Sequence, residues 1–380
     1  MKYRKFGKIG DEVSLLGFGT MRLPTHNGNP KDIDLEKTTK LIRYAIDHGV
    51  NYVDTAWPYH GGMSEKAVGK ALPGGYREKV HLATRLPSRL VNGPDDFDKL
   101  LDKQLENLGT ERIDYYLIHT LNRKWWPKLK EAGLFDFIKR AKESGKVGYV
   151  GFSFHDTIDI FKDIVDGWDW DFCQIQLNFM DEEYQAGVEG LKYAAAKGLG
   201  VVIMEPLKGG KIVKPNPRAE KIWAKADVVR TPSEWAFRWI ADFPEVSVVL
   251  SGMGELEEVV ENILTMSDAE PGKLSRKEHE IIGEVRDMYR KYIKIQCTAC
   301  GYCMPCPYGV RIPRSLELYN DMFMFDTPKE ANRVYWGFFT EENRASNCRK
   351  CGLCETKCPQ DLKIMDLLEL VDEKMREIKE

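Results

Sequence analysis

The chain has 380 residues, of which 43% are hydrophobic and 30% charged, with a net charge of −3. That length suits one large and one small domain, and the apolar share is ample for a core. Evenly mixed charge gives no basic stripe for nucleic acid, and no apolar run is long enough to cross a membrane.

The N-terminal Met1-Lys2-Tyr3-Arg4-Lys5 leads into folded sequence rather than an apolar leader, so a cytoplasmic protein is expected. From about residue 14 to 268, short β-rich runs alternate with amphipathic helical stretches. The predicted strands are 15–20, 51–54, 80–85, 113–119, 147–153, 172–176, 200–204 and 246–250. Most are continuous apolar runs, as in parallel strands buried on both faces. Between them the pattern predicts helices at 35–48, 96–108, 183–197, 232–242 and 255–265. Eight βα units in about 250 residues match a closed (β/α)8 TIM barrel. The alternative, a doubly wound open sheet, usually carries a G-x-G-x-x-G turn after its first strand, and none is present. The polar segment 23–34, with Pro24, Gly28 and Pro30, is expected to lie over the barrel mouth.

A further helix is predicted over 275–293, where Ile281, Ile282, Val285, Met288, Tyr289 and Tyr292 recur at helical spacing. Two more helix starts follow, at Pro313-Arg314-Ser315 and Thr327-Pro328-Lys329, each with proline in the first turn. The tail 361–378 is helical by pattern. The expected division is a barrel over 1–292 and a small, mainly α-helical, ferredoxin-like domain over 293–380.

Eight of the nine cysteines fall in two short runs: Cys297, Cys300, Cys303 and Cys306 before Pro307, and Cys348, Cys351, Cys354 and Cys358 before Pro359. Three thiolates at x2 spacing can wrap one cubane from a single turn of chain, and the fourth must come from elsewhere. Such runs, each closed by Cys-Pro, are the spacing of paired [4Fe–4S] sites in which the fourth cysteine serves the other run's cluster. Disulfides need an oxidising compartment, and structural zinc needs only two C-x2-C pairs. Two [4Fe–4S] clusters are therefore expected, with single-electron chemistry and the reducing cytoplasm of an anaerobe. The first run has two residues before its fourth cysteine where the second has three, which either alters the geometry of the cluster Cys306 serves or leaves it unligated. Cys173, alone in an apolar stretch, is read as a small hydrophobe.

Active sites of such barrels sit at the C-terminal strand ends. Asp54, Tyr59, Arg85 and His119 fall at three consecutive ends. A cation beside a tyrosine lowers its pKa and makes it a better acid; a carboxylate holds the cation, and a histidine orients a carbonyl. Trp57, His60, Trp125, Trp126, Phe154, His155 and Phe179 are candidate pocket walls, Trp57 and Trp126 foremost.

Asp54-Thr55-Ala56-Trp57-Pro58-Tyr59, followed by Ser64-Glu65, resembles the aldo-keto reductase signature, as do Gly17-Phe18-Gly19-Thr20-Met21 and Tyr116-Leu117-Ile118-His119. Beyond about residue 290 the chain resembles the subgroup with a C-terminal dicluster domain. The resemblance implies Tyr59 as general acid, His119 as orienting group and Asp54 paired to a basic residue. It implies a nicotinamide cofactor across the barrel mouth, held by Gly19, Thr20, Ser153, Gln176, Leu207, Gly209, Gly210, Ser251, Gly252, Met253, Glu258 and Asn262. The family's catalytic lysine is Arg85 here, its stacking tyrosine is Met204, and the asparagine beside Ser153 is Phe154. Its arginine for the adenosine 2′-phosphate is Glu258, which favours NAD(H) over NADP(H).

Nicotinamide moves two electrons at once, whereas a cubane moves one. FMN, which bridges the two, is therefore the alternative cofactor, fed single electrons through the clusters. A small carbonyl compound is the expected substrate, and a ferredoxin or another electron donor a candidate partner. A non-catalytic redox-responsive or electron-carrier protein is the remaining alternative.

Overall fold

The computed structural model describes residues 1–297, 301–324 and 327–379. The chain forms two compact units, one of Met1–Leu207 with Arg230–Ser275, the other of Lys208–Val229 with Arg276–Glu380.

The first unit opens with an antiparallel hairpin, β1 (Tyr3–Lys5) and β2 (Glu12–Ser14). Eight parallel strands follow: β3 (Leu16–Gly19), β4 (Tyr52–Asp54), β5 (His81–Leu86), β6 (Ile113–Leu121), β7 (Val147–Phe154), β8 (Phe172–Gln176), β9 (Gly200–Met204) and β10 (Val248–Gly252). They close into a barrel in sequence order, with β10 pairing to β3 through Val249↔Leu16 and Leu250↔Gly17. The expected (β/α)8 barrel is therefore the observed fold, with strand ends shifted by at most two residues.

The connecting helices are α1 (Leu35–Asp47), α2 (Ser64–Ala71), α3 (Asp95–Leu108), α4 (Trp125–Glu131), α5 (Leu134–Glu143), α6 (Ile158–Asp166), α7 (Gly187–Ala196), α8 (Pro217–Trp223, in the second unit), α9 (Pro232–Ala241) and α10 (Leu256–Asp268). Each buries one stripe; α1 hides Thr38, Leu41, Ile42, Ala45 and Ile46, spaced at the helical period. Helix α7 starts four residues later than its sequence pattern predicts. Gln185 and Gly187 take left-handed φ values of 57° and 55°, which no continuous right-handed helix admits.

The terminal hairpin, which sequence periodicity misses because its strands are three residues long, closes one end of the barrel. Phe6 is fully buried and stacks edge-on against Tyr115 at 4.7 Å, with Phe172 at 5.4 Å and Tyr52 at 6.1 Å. Gly200 makes room for it: a Cβ there would lie 3.0 Å from the Phe6 ring. The opposite end carries the strand C-termini.

In the second unit, α11 (Arg276–Arg290) packs on α8. Helices α12 (Ile312–Met324), α13 (Pro328–Gly337) and α14 (Ile364–Lys379) surround a separate core that includes Val310, Leu316, Tyr335, Leu368, Val371 and Met375. Two buried polar groups pin irregular backbone to this core. Asn320 bridges both backbone groups of Ile295, accepting from its N–H at 2.9 Å and donating to its carbonyl at 2.6 Å. The Tyr335 hydroxyl donates to Asp372 and accepts from the Ala345 N–H, both at 2.9 Å. Among the described residues, no helix is long and apolar enough to cross a membrane.

The hairpin plug yields a test. Phe6→Ala removes a ring with no space to collapse into, and is expected to cost about 3–5 kcal/mol of stability. Urea unfolding of the two proteins checks this; a loss below about 1 kcal/mol would show that the barrel floor seals without the ring.

Candidate active site and cluster cavities

Three strands of the barrel, β4, β5 and β8, meet in a buried charge network. Arg85, on β5, is 1% exposed, and Asp54, at the end of β4, is 2% exposed. One terminal nitrogen of Arg85 donates to both carboxylate oxygens of Asp54, at 2.7 and 2.8 Å, and to Gln174 Oε1 on β8 at 2.9 Å. The other donates to the Thr55 carbonyl at 2.5 Å. Burial pushes the Asp54 carboxyl upward, and the charge and hydrogen bonds of Arg85 oppose it.

The Arg85 guanidinium carbon lies 5.5 Å from the centre of the Tyr59 ring. Arg85 does act to lower the Tyr59 pKa, as expected, but the net change is a rise. Burial is the largest influence and raises it, with Arg85 only partly opposing and Asp54 and Glu205 adding to the rise. Tyr59 therefore holds its proton throughout the neutral range. It opens a short 3-10 turn in which His60, Gly61 and Gly62 take φ values of 53°, 62° and 92°. His60 holds that turn from outside. Its Nδ1–H donates to the Pro30 carbonyl at 2.9 Å, and its Nε2 accepts from the Leu23 N–H at 3.1 Å. The 23–34 loop, tied across itself by a bridge between Thr25 and Ile33, is thereby clasped beside Tyr59.

His119 on β6 is buried, and its pKa falls well below the ordinary value, first by burial and then by the charges of Arg85, His155 and Arg89. It is a neutral imidazole at neutral pH. The next residue, Thr120, has φ +57°, an outlier for a β-branched side chain. Its N–H donates to Ser153 Oγ at 2.8 Å, which holds the strained turn and fixes where His119 leaves the strand.

The resemblance-derived cofactor residues divide between the units. In the first, Thr20 Oγ1 donates to the Asp54 carbonyl at 2.9 Å and shares a hydrogen bond with Ser64 at 2.8 Å. Gly19 faces Ser251, whose carbonyl would lie 3.3 Å from a Cβ added at Gly19. Asn262 donates to Ser251 Oγ at 3.0 Å; Met253 is fully buried and Gly252 exposed. Leu207 is half-buried. Gln176 donates to Asp181 at 3.0 Å, but its buried Oε1 has no partner. That orphaned acceptor, at the end of β8, fits the carboxamide N–H of a nicotinamide. Gly209 and Gly210 belong to the second unit, with φ values of 69° and 85° that glycine alone adopts freely. Glu258 completes a capping box on α10, its Oε2 accepting from the Gly254 N–H at 2.7 Å and the Glu255 N–H at 3.2 Å. The carboxylate thus sits on helix N-terminal amides.

Other sequence assignments change. Trp126 is not a pocket wall. It is 3% exposed, its indole N–H donates to Asp163 at 3.0 Å, and it packs against Phe135 and Trp170. Glu65 of the signature holds helices together, accepting from Thr84 at 2.7 Å, Gln104 at 2.5 Å and Asn107 at 3.1 Å. Gln174 and Arg22 went unnoticed in the sequence; Arg22 is among the charges felt at Tyr59. Gln174 had a signal: with Gln176 it sets two amides at i and i+2 in an otherwise apolar strand. Cys173, just before Gln174, is fully buried, and burial raises its thiol pKa, as suits a core residue.

In the second unit the cysteines line two cavities. One, with about 380 Å³ of empty space, gathers Cys348, Cys351 and Cys354 of the second run with Cys306 of the first. The other, about 320 Å³, gathers Cys297 and Cys303 with Cys358. Cys303 borders both; Cys300 lies outside the described residues. Despite its shorter spacing, Cys306 reaches the other run's cavity. The Lys350 N–H points at Cys348 Sγ, 3.5 Å away, and Lys350 and Gly352 take φ values of 49° and 77° that wrap the loop around the thiols. Four thiols around one small cavity are the donor set of a cubane, so the residues fit the group.

Comparison with known proteins agrees with both halves. Residues 296–363 match the model of a 4Fe-4S dicluster domain, and residues 15–287 that of the aldo/keto reductase family. The uncharacterized oxidoreductase YrpG of Bacillus subtilis is 31% identical over 231 residues, 55% of this chain and 68% of that protein. L-galactose dehydrogenase of Arabidopsis thaliana is 26% identical over 292 residues, 71% of this chain and 89% of that one. The holo form of aldo-keto reductase AKR11C1 from Bacillus halodurans superimposes with a TM-score of 0.62 at 23% identity, over 75% of this chain and 96% of that one. With a closed eight-stranded barrel whose family model spans most of the sequence, and a dicluster domain after it, this chain belongs to the aldo/keto reductase family.

Proposed function

We propose that this iron–sulfur aldo-keto reductase interconverts a small carbonyl compound and its alcohol, with Tyr59 as the proton-transferring group. The observation that carries this reading is the buried Asp54–Arg85 pair set under the Tyr59 ring. A nicotinamide, when bound, supplies or accepts the hydride. In reduction, Tyr59 gives its proton to the carbonyl oxygen as negative charge develops there. The phenolate left behind faces the Arg85 cation, which is held in place by Asp54, Gln174 and the Thr55 carbonyl. His119, neutral through burial, donates one N–H to the same carbonyl oxygen and orients it. Gln176 Oε1, which has no partner in the protein, would accept from the carboxamide, and the Glu258 carboxylate would favour NADH by repelling a 2′-phosphate.

Two cubanes would be held by crossed ligands, Cys306 with Cys348, Cys351 and Cys354, and Cys358 with Cys297, Cys300 and Cys303. The difference between one- and two-electron carriers supports FMN as a second reading. The spectrum of protein purified without oxygen, before and after denaturation, separates the two, because only the second releases flavin.

Tyr59→Phe removes one hydroxyl and is expected to lower carbonyl reduction by roughly 10²–10⁴-fold with the fold intact. In the parent protein, reduction should stay level between about pH 7 and 9. The raised Tyr59 pKa keeps the proton on, and the lowered His119 pKa keeps the imidazole neutral. Near-normal turnover of the variant, measured at saturating substrate, assigns the acid elsewhere.

Protein made without oxygen should carry about eight irons per chain. Cys306→Ala is expected to damage chiefly the cluster of the second run, and Cys358→Ala that of the first. Electron paramagnetic resonance of each variant reads this directly, and damage confined to the mutated run contradicts crossed ligation.

Glu258→Gln keeps the capping box while removing its charge. NADPH affinity should then rise relative to NADH by roughly fivefold. Titration of both nucleotides gives the ratio; an unchanged ratio removes Glu258 from cofactor choice.

A further inference from the structure

The two cluster cavities differ in their surroundings. None of the described residues lining the cavity of Cys297, Cys303 and Cys358 is exposed, and none is charged. The lining of the cavity of Cys306, Cys348, Cys351 and Cys354 includes exposed residues. Cys351 itself is exposed, beside Tyr308 at 44% and Leu353 at 49%, with Pro305 and Pro307 also exposed. The charged residues in that lining are Arg349 and Lys357, both basic, and Lys350 adjoins them. Glu369 is paired to Lys350 at 2.8 Å, and one oxygen of Glu355 accepts from the Met365 N–H at 3.0 Å.

An exposed thiolate ligand brings a cluster within tunnelling reach of an outside donor. An apolar centre with a charged rim is the anatomy of a protein interface. Basic charge on that rim selects a partner of opposite sign and speeds encounter. Electron-transfer encounters need only a small contact area.

We propose that the surface formed by Tyr308, Leu353, Arg349 and Lys350 around Cys351 is the docking site of a small acidic one-electron carrier protein. This rests on the reading that both cavities hold clusters. In the transfer, one electron leaves the reduced carrier and enters the cluster of Cys306, Cys348, Cys351 and Cys354. The carrier is oxidised by one electron, the cluster is reduced by one, and no bond is made or broken.

The test is stopped-flow reduction of the cluster-loaded, full-length protein by a reduced acidic plant-type [2Fe–2S] ferredoxin, with photoreduced deazaflavin as a small reductant that needs no docking surface. The rate with ferredoxin should fall steeply as salt rises, and that with deazaflavin should not. The double variant R349E with K350E should lose roughly tenfold or more of the ferredoxin rate at low salt and keep its iron content and its deazaflavin rate. Equal losses with both reductants mean that the charges act on the cluster and overturn the docking surface. So does an unchanged ferredoxin rate, or a parent rate that ignores salt. If the double variant assembles less iron, Leu353→Glu and the parent salt dependence decide the matter by the same criteria. Failure of deazaflavin to reduce the parent protein would instead strike the cluster reading itself.

Discussion

The barrel's chemistry depends on a cation that cannot be discharged. Arg85 is buried, and a guanidinium keeps its proton at any pH a protein survives. An unpaired charge in that position would cost several kcal/mol, so the structure must surround it with acceptors. Asp54 takes it with both oxygens, Gln174 and the Thr55 carbonyl take what remains, and four strand and loop segments are tied together in consequence. The bond to Thr55 matters most for geometry, because Thr55 begins the short segment that ends at Tyr59. A lysine in the same place could lend and recover a proton. Arginine cannot, so no proton relay runs through residue 85, and what it offers Tyr59 is fixed positive charge.

A second constraint shapes the C-terminal unit. Three cysteines at x2 spacing occupy one side of a small cavity, and the same turn of chain cannot also supply the fourth corner. Each cavity is lined by cysteines of both runs, which makes the two loops one folding problem. The helices between the runs supply the apolar mass that holds them: Val310, Leu316 and Tyr335 in one stretch, Leu368 and Val371 after the second run. Asn320 fixes the backbone at Ile295, two residues before Cys297.

Much of this was legible in the sequence. Parallel strands buried on both faces must be short and apolar, so β8 and β9 could be bounded to the residue. Cysteine spacing gave the cavities, because ligand geometry translates directly into sequence separation. What stayed hidden depends on three-dimensional competition. The Tyr59 pKa is a balance between burial and a cation, and sequence shows only the cation. Trp126 sits near a strand end as a pocket residue would, but its ring is consumed by Phe135, Trp170 and Asp163. Glu258 reads as a charge beside a cofactor, yet it also caps a helix, which only the backbone reveals. The hairpin carrying Phe6 is too short for periodicity, although it closes the barrel floor.

The two halves handle charge in different units. In the proposed reaction, Tyr59, His119 and the Arg85–Asp54 pair manage one proton and the charge left behind when it moves. Cubanes manage single electrons and no protons. A carbonyl becomes an alcohol only when two electrons and two protons have been delivered, so single electrons arriving through the second unit must be gathered before they are of use at Tyr59. Protein side chains of the observed site store no electron pairs; a bound organic carrier must. Nicotinamide supplies pairs without passing through single-electron states, and in that case the clusters and the barrel need not exchange electrons during turnover. Flavin gathers them singly, and in that case they must. The identity of the molecule bound at the barrel mouth therefore determines whether the second unit is part of the catalytic cycle or a separate redox-sensing attachment to it.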